Sequence, residues 1–259
     1  MHGITLTTDL GLQDHYAGVL KGAILKELPS AVITDISHNI MKHDISDAAY
    51  AVKNSWHYFP AGTIHIVSVD SGSIHGNRHL VFMLEDHYFI GPDNGLFSVA
   101  FDRMPETVFE LIIPSDIRYP AFPARDLYVP AACHIARGGN PEMIGKKIDR
   151  WNSRTLLQPV IEADHIRGYV IYTDGYENAI TNITRDHFAV MGQGKTYIII
   201  FKRSEYRITQ ISSSYSDVPD GEKLALFNSS GNLEIGINKG KACSLLGLEL
   251  GDMVRVEFS

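Results

Sequence analysis

Residues 4–36 read ITLTTDLGLQDHYAGVLKGAILKELPSAVITDI. Ile4–Thr8 is a short β-branched run of the kind that suits a strand. Tyr16–Leu28 then carries apolar residues at helical spacing, and Ala31–Ile36 is strand-like again. Strand, helix and strand in that order predict a βαβ unit with parallel strands. The pattern continues outward from there. Ile45–Tyr58 reads as a helix, Thr63–Val69 as a buried strand, Leu80–Leu84 with His87–Ile90 as a hairpin, and Asn94–Phe101 as a short helix. Asp126 is expected to cap a helix that runs through Ala136 and stops at Gly138–Gly139. These features predict an α/β N-terminal domain with a mostly parallel sheet over residues 1–153.

The pattern changes after Trp151. Residues 154–163 have no clear period and read as a linker. Strands dominate beyond it: Gly168–Tyr172, Tyr197–Phe201, Leu224–Phe227, Leu233–Ile237 and Val254–Phe258, with Lys241–Leu246 the one helical stretch. Residues 164–259 are therefore expected to form a smaller, mostly-β barrel or sandwich.

Composition narrows the function. The chain has 259 residues, 44% of them hydrophobic and 20% charged, and its net charge is −7. An acidic chain without Lys/Arg clusters is a poor partner for nucleic acid, because phosphate binding needs a basic stripe. No apolar run is long enough for a membrane helix, and no leader pattern is visible at the start, so a cytoplasmic protein is expected. Cys133 and Cys243 are far apart and are expected to be free thiols.

Four polar segments carry the candidate chemistry. TTDLG, Thr7–Gly11, puts Asp9 at a strand end, where a carboxylate either accepts from ribose hydroxyls or caps the next helix; Asp14 lies just beyond. VDSGSIHGNRH, Val69–His79, ends a buried strand in Asp70 and continues to His75 and Arg78, as a site loop or a solvated one. GPDNGLF, Gly91–Phe97, reads as a turn into a helix capped by Asp93 or Asn94. DGYENAITNI, Asp174–Ile183, offers an acid, an aromatic and two asparagines, either as an adenine-reading edge or as a β-turn.

Any one of these is weak. Together with FPARD at Phe122–Asp126 and NSSGNLEIGINKG at residues 228–240, in this order and spacing, they form a specific pattern. The chain resembles the S-adenosylmethionine (SAM) hydroxide adenosyltransferase family, which also contains the fluorinase and chlorinase enzymes. The resemblance runs from Ile4 to Phe258. It implies a homotrimer that holds SAM, or its product adenosine, between the α/β domain of one subunit and the β domain of the next. By motif position, it implies that Asp9 holds the ribose hydroxyls. Asp14, Asp174 and Ser229 would face the methionine part. Asn178 and the backbone around Asn238 would read the adenine, and Tyr215 and Phe122 would supply aromatic walls. The implied reaction is displacement at ribose C5′, with methionine as leaving group and no cofactor or metal.

Water-using members of that family use an Asp–Arg–His set, and here the sequence departs. Asp70 matches the Asp, but the Arg position holds Asn77 and the His position holds Pro123. Ala124 follows where a halide pocket needs a hydroxyl, and Asp70 would repel an anion, so halide chemistry is not expected. Arg78, one residue on, and His75 are the candidates to replace the lost groups. His43 is a second candidate, lining the sulfonium side.

Three readings stay open. The first is a SAM hydrolase that releases adenosine and methionine. The second is a non-catalytic SAM- or adenosine-binding protein, motivated by Asn77 and Pro123. The third is a metal-dependent hydrolase drawing on Asp9, Asp14, His15, His38, His43 and Asp44.

Overall fold

The computed structural model describes residues 3–101, 103–115, 117 and 120–259, with only the backbone of residues 203–205. The chain divides into two compact units, Met1–Thr155 and Leu156–Ser259.

In the first unit the elements in chain order are β1 (Gly3–Thr8), α1 (Tyr16–Glu27), β2 (Val32–Ser37), α2 (Ile45–Lys53), β3 (Ile64–Ser68), β4 (His79–Leu84), β5 (His87–Pro92), α3 (Leu96–Ala100), β6 (Val108–Leu111), α4 (Val129–Ala136) and β7 (Gly145–Ile148). The sheet order is β2-β1-β3-β5-β4-β6-β7. Strands β2, β1, β3 and β5 are parallel neighbours, while β4, β6 and β7 join antiparallel, so the sheet is mixed. The change of direction is made by the β4–β5 hairpin. Its two turn residues, Glu85 (φ 48°) and Asp86 (φ 63°), both take left-handed backbone, as the tightest hairpin turns require.

Side-chain alternation along the strands separates two cores. Ile4, Leu6, Ile64 and Ile66 face Leu20 and Ile24 of α1 and Ala132 and Ile135 of α4. Val67, Phe82 and Phe89 face Ala48, Ala49 and Val52 of α2 and Leu96, Phe97 and Ala100 of α3. Helix α2 ends at Lys53, short of the expected Tyr58. Ser55 Oγ turns back onto the carbonyls of Ala51 and Val52, and a separate short turn covers Trp56–Tyr58. Asp126 does not cap α4: it pairs side by side with Arg125 within a π-helical turn, Ala124–Tyr128, that leads into the helix. Helix α3 is entered through Gly95 (φ 96°), and Asn94 accepts from the Leu96 N–H.

The second unit contains β8 (Val160–Ile161), β9 (His165–Thr173), β10 (Ala179–Thr184), α5 (Arg185–Met191), β11 (Tyr197–Phe201), β12 (Arg203–Ile208), β13 (Lys223–Phe227), β14 (Asn232–Ile237), α6 (Ala242–Leu246) and β15 (Met253–Phe258). Residues 154–163, read as a linker, include β8, which pairs with β9. The sheet order is β12-β11-β15-β9-β10-β14-β13. A parallel bridge from Ile211 to Ala225 of β13 brings the chain leaving β12 to the far edge, so the antiparallel sheet curls into a nearly closed barrel. Ile166, Val170, Ile199, Phe201, Ile235, Val254 and Val256 fill it. No helix of the described residues is long and apolar enough to cross a membrane.

One buried chain in the first unit makes its stability depend on pH. Thr5 Oγ1 is hydrogen bonded to His65 Nδ1 at 2.7 Å, and His65 Nε2 to His87 Nδ1 at 3.1 Å. Burial, followed by the charge of His87, pushes the His65 imidazole down to about 3. Folded His65 therefore stays neutral where unfolded His65, with a pKa of about 6.5, takes up a proton. Its contribution is complete above that unfolded value and is lost progressively as the pH falls toward the folded one. The expected slope is about 1.4 kcal/mol per pH unit. Urea midpoints measured between neutral and mildly acid pH should fall in the parent and fall less steeply in His65→Gln; parallel declines would show that His65 is not the group responsible.

Candidate active site

Strand β1 lies between β2 and β3, so the loop after it is flanked by the loops after both neighbours. Asp9 projects from that central loop. Its Oδ2 accepts the backbone N–H of His43 (3.1 Å) from the β2 side and of Asp70 (3.3 Å) from the β3 side. The Lys42 ammonium donates to the Asp9 carbonyl. Across this bridge the side chains of His43 and Asp70 meet, Nδ1 to Oδ1, at 3.0 Å. Asn94 closes the arrangement from below, donating through Nδ2 to the carbonyls of Val69 (3.0 Å) and Asp70 (3.1 Å). The GPDNG segment thus clamps the Asp70 loop as well as starting a helix.

Supporting the Asp9 loop is a buried relay. Thr8 Oγ1 accepts from the Leu10 N–H (3.3 Å) and is hydrogen bonded to His38 Nδ1 (2.7 Å). His38 Nε2 faces Asp35 (3.1 Å), whose other oxygen takes Lys21 at 2.5 Å. Partial burial works against ionisation of Asp35, but Lys21 and His38 outweigh it and hold its carboxyl below the usual range. The backbone is stitched in parallel, Gly11 N–H to His38 O and Ile40 N–H to Thr8 O. Under the Asp70 loop, Ser68 and Ser71 share a hydrogen bond (2.9 Å), and His79 Nδ1 meets the Tyr128 hydroxyl (2.6 Å). Burial raises the Tyr128 phenol and lowers the His79 imidazole, so both are neutral props.

A second cluster stands on the barrel unit. Asp174 Oδ1 accepts the N–H groups of Tyr176 (2.9 Å) and Asn178 (2.8 Å), and its Oδ2 accepts from Asn178 Nδ2 (3.0 Å). Asn178 Nδ2 also reaches the Tyr215 oxygen (3.2 Å), and Tyr215 donates to Glu234. Burial raises the Glu234 carboxyl above its ordinary value, against the lowering effect of its hydrogen bonds to Tyr215 and Asn228. Gly236 lies close alongside: a Cβ there would stand 3.0 Å from Asn178 Oδ1 and 3.1 Å from the Tyr215 ring, so both side chains would have to give way slightly.

The model of the SAM hydroxide adenosyltransferase N-terminal domain matches residues 4–145, and that of the C-terminal domain matches residues 168–255. The chain belongs to the SAM hydroxide adenosyltransferase family. Among curated relatives, a protein of Thermus thermophilus named (R)-S-adenosyl-L-methionine hydrolase is 31% identical, over 99% of this chain and 100% of its own length. A Nocardia brasiliensis protein named fluorinase is 23% identical, over 98% and 96%. A solved structure of an uncharacterized conserved protein from Thermotoga maritima superposes with a TM-score of 0.88 at 29% identity, over 99% of both chains. The relatives' names attach SAM processing to this family.

Against that family background, the first unit brings Asp9, Asp70 and His43 together and leaves other expected residues apart. Arg78 is engaged by the buried carboxylate of Asp93, which also accepts from the Asn152 N–H (2.7 Å). His75 is exposed. Asn77, itself exposed, donates through Nδ2 to the Ser71 carbonyl (3.2 Å). Pro123 and Ala124 are buried; Phe122 packs edge-on against Tyr16, with Arg125 over its face; Asp14 is exposed. In the barrel unit, Ser229 is exposed in the turn organised by Asn228. The backbone of Asn238 is already paired with Glu222 and Gly221.

Among the described residues, no three His, Cys, Asp or Glu side chains are grouped to hold a metal ion. His38 is committed to Thr8 and Asp35, and Asp44 caps α2 by accepting from the Ser46 and Asp47 N–H groups. Two supporting residues, His38 as a positioning group and Glu234, were not singled out from sequence. His38 had a signal, since it follows the strand neighbouring β1. Glu234 had none, because Leu233 and Ile235 point into the barrel and alternation reads Glu234 as a solvated outer residue.

Proposed function

We propose that this protein binds SAM and catalyses attack of water on ribose C5′, releasing adenosine and methionine. The observation that carries this reading is the bridge at Asp9. One carboxylate oxygen fixes the backbones of both flanking loops, and the other remains for a ribose hydroxyl, so nucleoside and water-side residues are held in one frame. Asp9 binds the ribose, with Asp14 and Phe122 at the rim. Asp70 holds the attacking water, and Arg78 and His75 are the further groups on its loop. On the barrel unit, Asp174, Asn178, Tyr215, Ser229 and Asn238 receive the adenine and methionine ends, within a homotrimer. Sulfonium is a good leaving group, so the protein's work is alignment and proton removal. An anionic Asp70 disfavours a halide as nucleophile.

A non-catalytic binding protein is the second reading. The pairing of Arg78 with Asp93 favours it, because that arginine is then unavailable to replace the one missing at Asn77. Incubation with SAM in the presence of a chelator, followed by chromatography, separates the two. The expected result is many equivalents of adenosine and methionine per chain, with turnover about 100-fold lower or less in Asp70→Ala. Recovery of bound, intact SAM would establish the binding protein instead. Sedimentation mass tests the trimer.

A further inference from the structure

We propose that His43 is the general base of this site, working as a dyad with Asp70 and standing in for the histidine whose place is taken by Pro123. The inference rests on the hydrolase reading above. A carboxylate only accepts hydrogen bonds, so the 3.0 Å contact between Asp70 Oδ1 and His43 Nδ1 places the ring proton on Nδ1 and leaves Nε2 with its lone pair. The His43 side chain is 76% exposed, so that nitrogen is open to water and substrate.

The backbone carries a second, independent signature. His43 (φ 63°) and Asp70 (φ 46°) both sit in the left-handed region without being glycine. Such conformations cost energy and persist where the surroundings over-determine them. Here the surroundings are the Asp9 carboxylate under both N–H groups, Lys42 on the Asp9 carbonyl, Asn94 under Asp70, and the capped start of α2 directly after His43. The dyad is thus built on the same carboxylate that is proposed to hold the ribose, and C5′ is attached to that ring. His75 and Arg78 lack this placement: among the described residues His75 is hydrogen bonded to neither Asp9 nor Asp70, and Arg78 is paired to Asp93.

In the proposed step, a water oxygen bonds to C5′ as the C5′–S bond breaks, and that electron pair stays on sulfur as the thioether of methionine. The water proton passes to His43 Nε2. Asp70 stabilises the resulting imidazolium, which then releases the proton to solvent. One SAM cation and one water give adenosine, methionine and one proton.

The test compares wild type, His43→Ala and His43→Gln for turnover of SAM and for adenosine binding by calorimetry. Both His43 variants are expected to bind adenosine within about threefold of wild type and to lose about 10²-fold or more in kcat. Added imidazole is expected to restore part of the activity of His43→Ala, because the vacated position is solvent-accessible. The dyad is overturned if wild type turns over and His43→Ala matches it, or if the loss is not rescued. A wild type that binds adenosine without converting SAM overturns the hydrolase reading itself.

Discussion

Replacing Asp9 with alanine is expected to lower kcat/KM for SAM by about 10³-fold, corresponding to roughly 4 kcal/mol, and to weaken adenosine binding with it. The size follows from the double use of one side chain. Its Oδ2 holds the N–H groups of His43 and Asp70, and hydrogen bonds to a charged group contribute roughly 1.5–3 kcal/mol each. On the proposed reading the ligand then loses its ribose partner, and both left-handed residues lose their anchor. Asp9→Asn keeps an acceptor for the two N–H groups and should retain more activity than Asp9→Ala. Steady-state kinetics beside calorimetry with adenosine checks this. A change below about tenfold in both for Asp9→Ala would remove Asp9 from the centre of the site.

The largest expected loss of stability is at Phe89. Its ring is fully buried, stacked on His65 at 4.8 Å and on Phe82 at 5.3 Å, with Phe101 at 4.8 Å and Trp56 at 5.7 Å against its other sides. Phe97 stands edge-on at 6.5 Å, and no single neighbour can relax into the space of a ring held by these five aromatic groups. Phe89→Ala should therefore cost about 3–5 kcal/mol, the range of a large core aromatic replaced by alanine. Denaturant unfolding followed by circular dichroism measures it; a loss under about 1 kcal/mol would mean that the core collapses around the cavity. Because β5 leads directly into Asn94, which clamps Asp70, activity should soften before unfolding.

Sequence periodicity revealed the elements whose burial is one-sided or complete. Tyr16–Glu27 and Ile64–Ser68 stand almost where the pattern puts them, at Tyr16–Leu28 and Thr63–Val69. It did not reveal β7, a four-residue strand at the sheet edge whose middle is two exposed lysines, because edge strands use charge to block further pairing. Helix α5 was also unread, since none of its residues is buried and its capping Thr184 closes a β-branched run. The loops that carry Asp9, Asp70 and His43 were legible from topology alone. The contact between His43 and Asp70 was not: it spans 27 residues and depends on β1 lying between β2 and β3. The family resemblance alone singled out Tyr215, and the bond from its hydroxyl to Glu234, a link between separate segments of the barrel unit, had no local signal.

Strand order in the barrel also sets a timetable for synthesis. The last of the described barrel strands in chain order, β15, is not at an edge: it pairs with β9 on one side and β11 on the other. Until residue 258 has left the ribosome, these two strands have no bridge between them, and each presents an unpaired border. All seven strands of the first unit precede residue 149, so that unit can close while the barrel is still waiting for its middle. The nascent chain therefore carries a finished first domain and a half-built barrel with two unpaired strand borders at the same moment, and that interval is when a holding chaperone has most to protect.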